Sequence, residues 1–153
     1  MDILLNALIV AALAAYMEYV AYFTHKYMMH GFLWVLHQDH HRPRGRGFQR
    51  NDLFAIFFAS ISFLLVVTGL LRRVWPLTSA GLGVALYGVG YFLFHDVMFH
   101  RRYRGIRLKP HGHYRERIVR AHKVHHQCSE RENGVSFSFL YAGKQYAEQQ
   151  PSG

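Results

Sequence analysis

The sequence predicts an all-α integral membrane protein in which three transmembrane helices carry a cytoplasmic, histidine-rich cap. Three observations predict it. Apolar runs of bilayer-crossing length alternate with stretches dense in arginine and histidine, 12 of the 153 residues are histidine, and the formal net charge is +9. The averages conceal this, since 51% hydrophobic residues and a mean hydropathy of −0.02 would suit a soluble globule. A chain this short fits one membrane domain, taken as residues 1–142, followed by a polar tail over 143–153 with no evident motif.

A helix needs about 20 predominantly apolar residues to cross the hydrocarbon core. The first span, Ile3–Phe23, meets this with Asn6 and Glu18 as its strongly polar members. The second, 53–71, and the third, 77–94, carry no charge, and the third is rich in glycine at Gly81, Gly83, Gly88 and Gly90, which favours close helix packing. Arg72-Arg73-Val74-Trp75-Pro76 is so short a link that spans two and three must form an antiparallel hairpin, with Trp75 suited to the membrane interface. A fourth short or re-entrant segment is left open. Met1-Asp2-Ile3 lacks the basic start of a cleaved secretory signal, so the chain as written is expected to be the mature protein.

Lysine and arginine number five in 24–51, two in the hairpin and ten in 95–131. Positive charge marks the cytoplasmic side. The expected topology therefore has the N-terminus outside, 24–51 inside, the hairpin outside and everything after 95 inside, in a bacterial inner membrane. The single cysteine, Cys128, excludes an intrachain disulfide and any Cys-rich zinc or iron–sulfur site. Nucleic-acid binding is disfavoured, because the basic residues lie against the membrane and alternate with histidines.

Ten of the twelve histidines form a repeat: His25-x4-His30, then His37-x2-His40-His41, and again His95-x4-His100, then His122-x2-His125-His126. Each copy begins where an apolar span ends, and both fall on the side that the charge count makes cytoplasmic. At about 100° per residue, HxxHH projects three imidazoles in one direction. HxxxxH does not, since i and i+5 lie roughly 140° apart in an α-helix. Either its two members serve different metals or a π-type turn brings them together. Imidazole suits iron, zinc, copper and nickel. Ten ligands exceed one coordination shell, so two ions, a dimetal centre, is the natural count. Intramembrane and interfacial polar groups are costly and usually functional. His111 and His113 stand outside the repeat, in the basic loop 101–113.

Several residues near the boxes are candidates for support. Glu18, Asp39, Asp52 and Asp96 are placed to hydrogen-bond a ligand imidazole. Tyr16, Tyr19, Tyr22, Tyr87, Tyr91 and Phe94 are candidates to line an apolar passage. A helix over 114–127 sets His122, His125 and His126 on its inner side. Its basic outer face, with Arg101, Arg102, Arg104 and Arg107, offers a docking surface for an acidic partner or for anionic lipid headgroups.

These boxes resemble the membrane histidine-box oxygenases, which include fatty-acid and sterol hydroxylases and acyl desaturases. Within that superfamily the order HxxxxH, HxxHH, HxxxxH, HxxHH is similar to the bacterial β-carotene 3-hydroxylases. The likeness extends through His25-Lys26-Tyr27-Met28-Met29-His30-Gly31, His40-His41-Arg42-Pro43-Arg44, Asn51-Asp52-Leu53, 91–96 and 135–142. It covers roughly 5–142 and departs at Ser138, where glycine is expected. The resemblance implies a non-haem diiron monooxygenase in which the ten box histidines bind two irons. O2 would be co-substrate, and carbon 3 of the β-ionone rings would be hydroxylated, from β-carotene through β-cryptoxanthin to zeaxanthin. Electrons would come from reduced ferredoxin and its reductase. The competing enzymatic readings are an acyl or sterol hydroxylase, a desaturase or a carotenoid ketolase. A membrane metal-binding protein is the non-enzymatic alternative.

Overall fold

The computed structural model describes residues 2–43, 45, 47–128 and 130–147. Arg44 and Arg46 of the basic segment, and 148–153 of the tail, lie outside the described residues. The described chain is entirely helical apart from its connections: α1 Ile3–Phe23, α2 Trp34–His41, α3 Asp52–Arg72, α4 Trp75–Tyr91 and α5 His113–Gln127, with a short 3₁₀ turn at Lys144–Tyr146.

Two helices do not stop where the sequence suggests. The first span runs on from α1 into a π-helical segment, Thr24–Phe32, and the third runs on from α4 into another, Phe92–Phe99. Three helices are long and apolar enough to cross a bilayer: Ile3–Phe32, Asp52–Arg72 and Trp75–Phe99. Among the described residues no fourth joins them. The 21 residues of α3 rise ~30 Å, the thickness of a hydrocarbon core.

The packing follows from small residues and a few polar anchors. Asp2 caps α1 by accepting from Leu5 N–H at 3.1 Å. The α3–α4 hairpin closes through Arg73 in the left-handed region (φ 55°), and Pro76 lies in the first turn of α4, where its missing N–H costs nothing. Gly81 and Gly83 let α4 approach its neighbours. A β-carbon at Gly81 would fall 2.8 Å from the Ser62 carbonyl on α3, and one at Gly83 2.8 Å from the Val10 carbonyl on α1. Two polar contacts lock these faces in the absence of water: Ser62 donates to the Gly81 carbonyl at 2.8 Å, and Ser79 donates to Asn6 at 2.9 Å.

Burial is inverted relative to a soluble protein. Leu71, Ile3 and Phe32 are among many exposed large apolar side chains, while His37, His40, His95 and His125 are among the most deeply buried residues. A small apolar cluster of Ile118, Ala121 and Ala142 fixes α5 to the C-terminal segment. Arg120 donates to the carbonyls of Tyr146 and Ala147 at 2.9 and 2.6 Å. The first part of the polar tail, 143–147, is therefore docked on α5 rather than free.

Candidate metal centre

The α-helical arithmetic that separates i and i+5 fails at both HxxxxH boxes, because both are π-helical. His100 N–H donates to the His95 carbonyl at 3.0 Å, an i→i−5 bond joining the two histidines of the box. At the end of the first π-segment, three residues past the first box, a like i→i−5 bond runs from Leu33 N–H to the Met28 carbonyl at 2.9 Å, beside a kink at Gly31 (φ −107°, ψ −129°). Residues five apart then sit one turn apart, and the rings of His25/His30 and His95/His100 approach to 5.3 and 4.5 Å between centroids. Of the two sequence readings for this box, the π-turn is the one observed.

The boxes converge into two groups. His25, His30, His37, His41 and His125 form one, and His40, His100, His122 and His126 the other, with the ring nitrogens of each group within 4.8 Å of one another. His95 joins the second, its Nε2 3.0 Å from that of His40. Each HxxHH box is thus divided. Its outer pair, i and i+4, stays with the HxxxxH box of its own copy, and its middle histidine crosses over. His40 goes to the second copy's group and His125 to the first. The sequence reading of three imidazoles pointing one way holds for the helix face, but not for a common destination. His111 and His113 are exposed and join neither group.

The outer nitrogens show how the inner ones must be protonated. Nδ1 donates to the Phe137 carbonyl from His25 (2.9 Å), to Arg131 from His30 (3.1 Å), to Cys128 from His41 (2.9 Å) and to Val135 from His125 (2.7 Å). His37 Nδ1 lies 2.6 Å from Asn51 Oδ1, His40 Nδ1 2.9 Å from Gln49 Oε1, and His95 Nδ1 3.0 Å from Asp96 Oδ1. A neutral imidazole with its proton on Nδ1 has a bare lone pair on Nε2. Yet His37 Nε2 faces those of His25 and His41 at 3.2 and 3.1 Å, and His40 faces His95 at 3.0 Å. Lone pairs so close repel. In addition, the Nε2 atoms of His30, His125 and His126 are buried without a hydrogen-bond partner. A cation shared among the Nε2 atoms removes both costs. Two nitrogens ~2.1 Å from one ion and at right angles to each other stand ~3 Å apart, which matches these separations. The donor set therefore fits metal ions.

Electrostatics point the same way. Burial, aided by neighbouring imidazoles, lowers His41 to about 4 and His125 to about 3. Burial together with Arg102 lowers His100 to about 4. His37, His40, His122 and His126 are also depressed by burial. The cluster is neutral near pH 7, the state in which imidazole binds metal.

The four acidic candidates differ. Asp96 alone touches an imidazole. Glu18 does not: its carboxylate accepts from the backbone N–H of Phe139 and Leu140 at 3.0 and 2.9 Å and from the Tyr87 hydroxyl at 2.9 Å. It anchors the segment that supplies the carbonyls of 135 and 137, because an acid within a span takes the nearest donors. Asp39 accepts from Arg50 N–H at 2.7 Å. Asp52 accepts from Gln49 N–H at 3.0 Å and pairs with Arg102 at 2.7 Å. Arg102 is a further correction. Its side chain is only 9% exposed and bridges Asp52 and Asp96, so it leaves the docking face. Asn51 and Gln49 orient His37 and His40, a role the sequence reading assigns to neither, although Asn51 is among the residues that carry the resemblance. Neither residue type announces such a role, and only their position between a box and a span hinted at it.

An apolar cavity of about 600 Å³ lies between α1, α3 and α4. Its inner end is formed by Thr24, Met29, Tyr91, Asp96 and Phe139. The Phe139 ring stacks on His25 (5.6 Å, 7°) and meets His95 edge-on (5.3 Å), while Tyr91 stacks on His95 (4.5 Å). Of the six passage candidates, Tyr87 and Tyr91 line this cavity, and with Phe94 they line a smaller one of about 290 Å³. Tyr16, Tyr19 and Tyr22 line neither. The first two are exposed and pack on each other, and Tyr22 accepts from Lys26 at 3.0 Å.

Comparison with known proteins follows the same lines. Residues 10–141 match the family described as fatty acid hydroxylase. The chain is 44% identical to a β-carotene hydroxylase of Pseudescherichia vulneris over 92% of its own length and 79% of that protein's. It is 44% identical to one from Pantoea ananas (90% and 77%) and 38% identical to one from a Paracoccus species, strain N81106 (90% and 84%). No solved structure matches.

Proposed function

Because this chain belongs to the fatty acid hydroxylase family, we propose that it is a membrane monooxygenase acting on β-carotene. It hydroxylates carbon 3 of each β-ionone ring, giving β-cryptoxanthin and then zeaxanthin. The observation that carries the reading is the set of converging, unprotonated Nε2 atoms behind Phe139 and Tyr91, the rings that stack on His25 and His95 and line an apolar cavity. The named relatives support the substrate. Residues 1–142 act as one unit.

Two irons are the proposed metals. His25, His30, His37, His41 and His125 would hold one, and His40, His95, His100, His122 and His126 the other. When bound, iron supplies the activation of O2 and the oxidation of an unactivated C–H bond, chemistry no side chain offers. The protein does the rest. Burial keeps the imidazoles neutral, and carbonyls, amides and the Asp96 carboxylate on Nδ1 fix the tautomer and ring orientation of seven of them. Phe139 and Tyr91 present an apolar surface that excludes water and seats the ring beside the cluster. A hydrocarbon needs no acid or base to be recognised or cleaved by this route.

The two electrons for each turnover come from reduced ferredoxin, regenerated by its reductase. The exposed Arg101, Arg104 and Arg107 offer an acidic carrier its landing surface. The lysine and arginine distribution supports a bacterial inner membrane, with the N-terminus outside and the histidine boxes facing the cytoplasm. The family's description favours one second reading, an acyl-chain or sterol hydroxylase.

The test is expression in cells that accumulate β-carotene, beside His122→Ala, with pigments extracted. Zeaxanthin and β-cryptoxanthin formed only by the intact chain are expected. Unchanged β-carotene alongside iron-loaded protein in the membrane would transfer the reading to acyl or sterol substrates.

A further inference from the structure

Four glycines lie along α4, and they divide into two kinds. Gly81 and Gly83 are required by packing, since a β-carbon at either would strike neighbouring backbone. Gly88 and Gly90 are not: a β-carbon at either meets no heavy atom within 4 Å. Glycine inside a helix is less favourable than alanine, so an unpacked one needs another reason. Two residues apart, they face ~200° apart, hence opposite sides of α4. Gly88 lines the cavity of about 600 Å³, and Gly90 lines the smaller one of about 290 Å³. Tyr87, Tyr91 and Phe139 line both and form the partition between them.

The larger cavity is long. Its α3 wall runs from Phe54 to Val66, twelve residues or ~18 Å of helix. One end abuts Asp96, which holds His95, and Thr24 and Met29, which adjoin His25 and His30 in sequence. Gly88 lies seven residues before His95, ~10 Å back toward the bilayer interior. Three of the polar groups on the walls are already engaged. Ser62 donates to the Gly81 carbonyl, Tyr87 to Glu18, and Asp96 accepts from Arg102. They leave little for a ligand's carboxylate or hydroxyl to bind, and the channel suits a hydrocarbon.

We propose that Gly88 is a specificity-determining residue. It keeps the larger cavity open so that a long, rigid polyene passes behind a cyclic end group seated between Gly88 and the histidines. The smaller cavity on the Gly90 side takes no part. This rests on the carotenoid hydroxylase reading and deepens it. The occupant is a β-carotene-class hydrocarbon, entering from the lipid along α3 and α4.

The experiment compares the intact chain with Gly88→Ala, Gly88→Phe, Ala59→Phe and Gly90→Phe in membranes supplied with β-carotene. Hydroxylated product and iron per chain are both measured. Ala59 lines the α3 wall of the same cavity, so it tests the channel without touching α4. A graded loss is expected: about threefold or less for Gly88→Ala, at least tenfold for Gly88→Phe and Ala59→Phe, and less than twofold for Gly90→Phe, with iron retained. Wild-type turnover in whichever of Gly88→Phe and Ala59→Phe retains iron would overturn the proposal. So would a loss in Gly90→Phe equal to that in Gly88→Phe. No hydroxylated carotenoid from the iron-loaded intact chain would instead overturn the functional reading on which the proposal stands.

Discussion

The two copies of the histidine repeat reach the same arrangement by different means. In the first, six residues separate HxxxxH from HxxHH, and the chain turns between them at Gly31 and Leu33 straight into α2. In the second, 21 residues intervene, and α5 arrives by way of a basic loop. Their outer partners differ too. The first copy's five imidazoles rest on neutral oxygens from Phe137, Arg131, Asn51, Gln49 and Cys128. The second contains His95 on Asp96, the one carboxylate on an imidazole among the described residues, and that carboxylate is itself held by Arg102. Equal numbers of histidines thus do not mean equal donor sets. A carboxylate on Nδ1 makes a more basic ligand than an amide does.

The exchange of His40 and His125 is the sharpest point at which to break this comparison. His125→Ala and His122→Ala should each abolish product. If the groups are as drawn, His125→Ala with His30→Ala removes no more iron than either alone, while His125→Ala with His122→Ala removes all of it, because changes within one shell do not add. Iron per chain after purification decides it, and equal loss in both pairs would dissolve the partition.

Next in size is the carboxylate. Asp96→Asn should lower iron affinity about 10- to 100-fold, Asn51→Ala nearer the bottom of that range, and Glu116→Gln, at a partly buried side chain paired with Arg120, less than twofold. Metal titration of the purified variants reads all three. Equal affinity in Asp96→Asn and Glu116→Gln would show that the asymmetry has no energetic consequence.

Acidity acts on both copies. His41 and His100 are lowered to about 4 and His125 to about 3, all below the ordinary 6.5. Between 6.5 and those values the unfolded chain binds protons that the native one refuses. The stability concerned is fully present above 6.5 and lost as pH falls toward 4 and then 3. Both the thermal midpoint and retained iron should fall between about pH 7.5 and pH 5, and a flat profile would contradict the burial.

The smallest effect concerns what both copies share. Glu18→Gln weakens the anchor of Phe139 and Leu140, lowering stability by about 1–3 kcal/mol, read as a lower melting temperature in detergent with iron content preserved.

The sequence makes some of this legible and hides the rest for identifiable reasons. Spans and boxes are visible because hydropathy and i, i+3, i+4 spacing are local properties. The π-segments are half visible, since a five-residue spacing demands either that turn or two destinations. The crossing of His40 and His125 is invisible, because it depends on how α2 and α5 meet. Glu18 is misread as an imidazole partner because its true donors, at 139 and 140, lie more than a hundred residues away along the chain. Arg102 is misplaced by composition, since a basic loop hides which of its arginines turns inward. Four of the seven outer acceptors are backbone carbonyls, which no residue type betrays.

Those four carbonyls belong to Cys128, Arg131, Val135 and Phe137, late in the chain. Three of the imidazoles they steady belong to His25, His30 and His41, between 87 and 112 residues earlier in the chain. A growing chain therefore completes its three apolar spans before it holds the carbonyls that orient these rings.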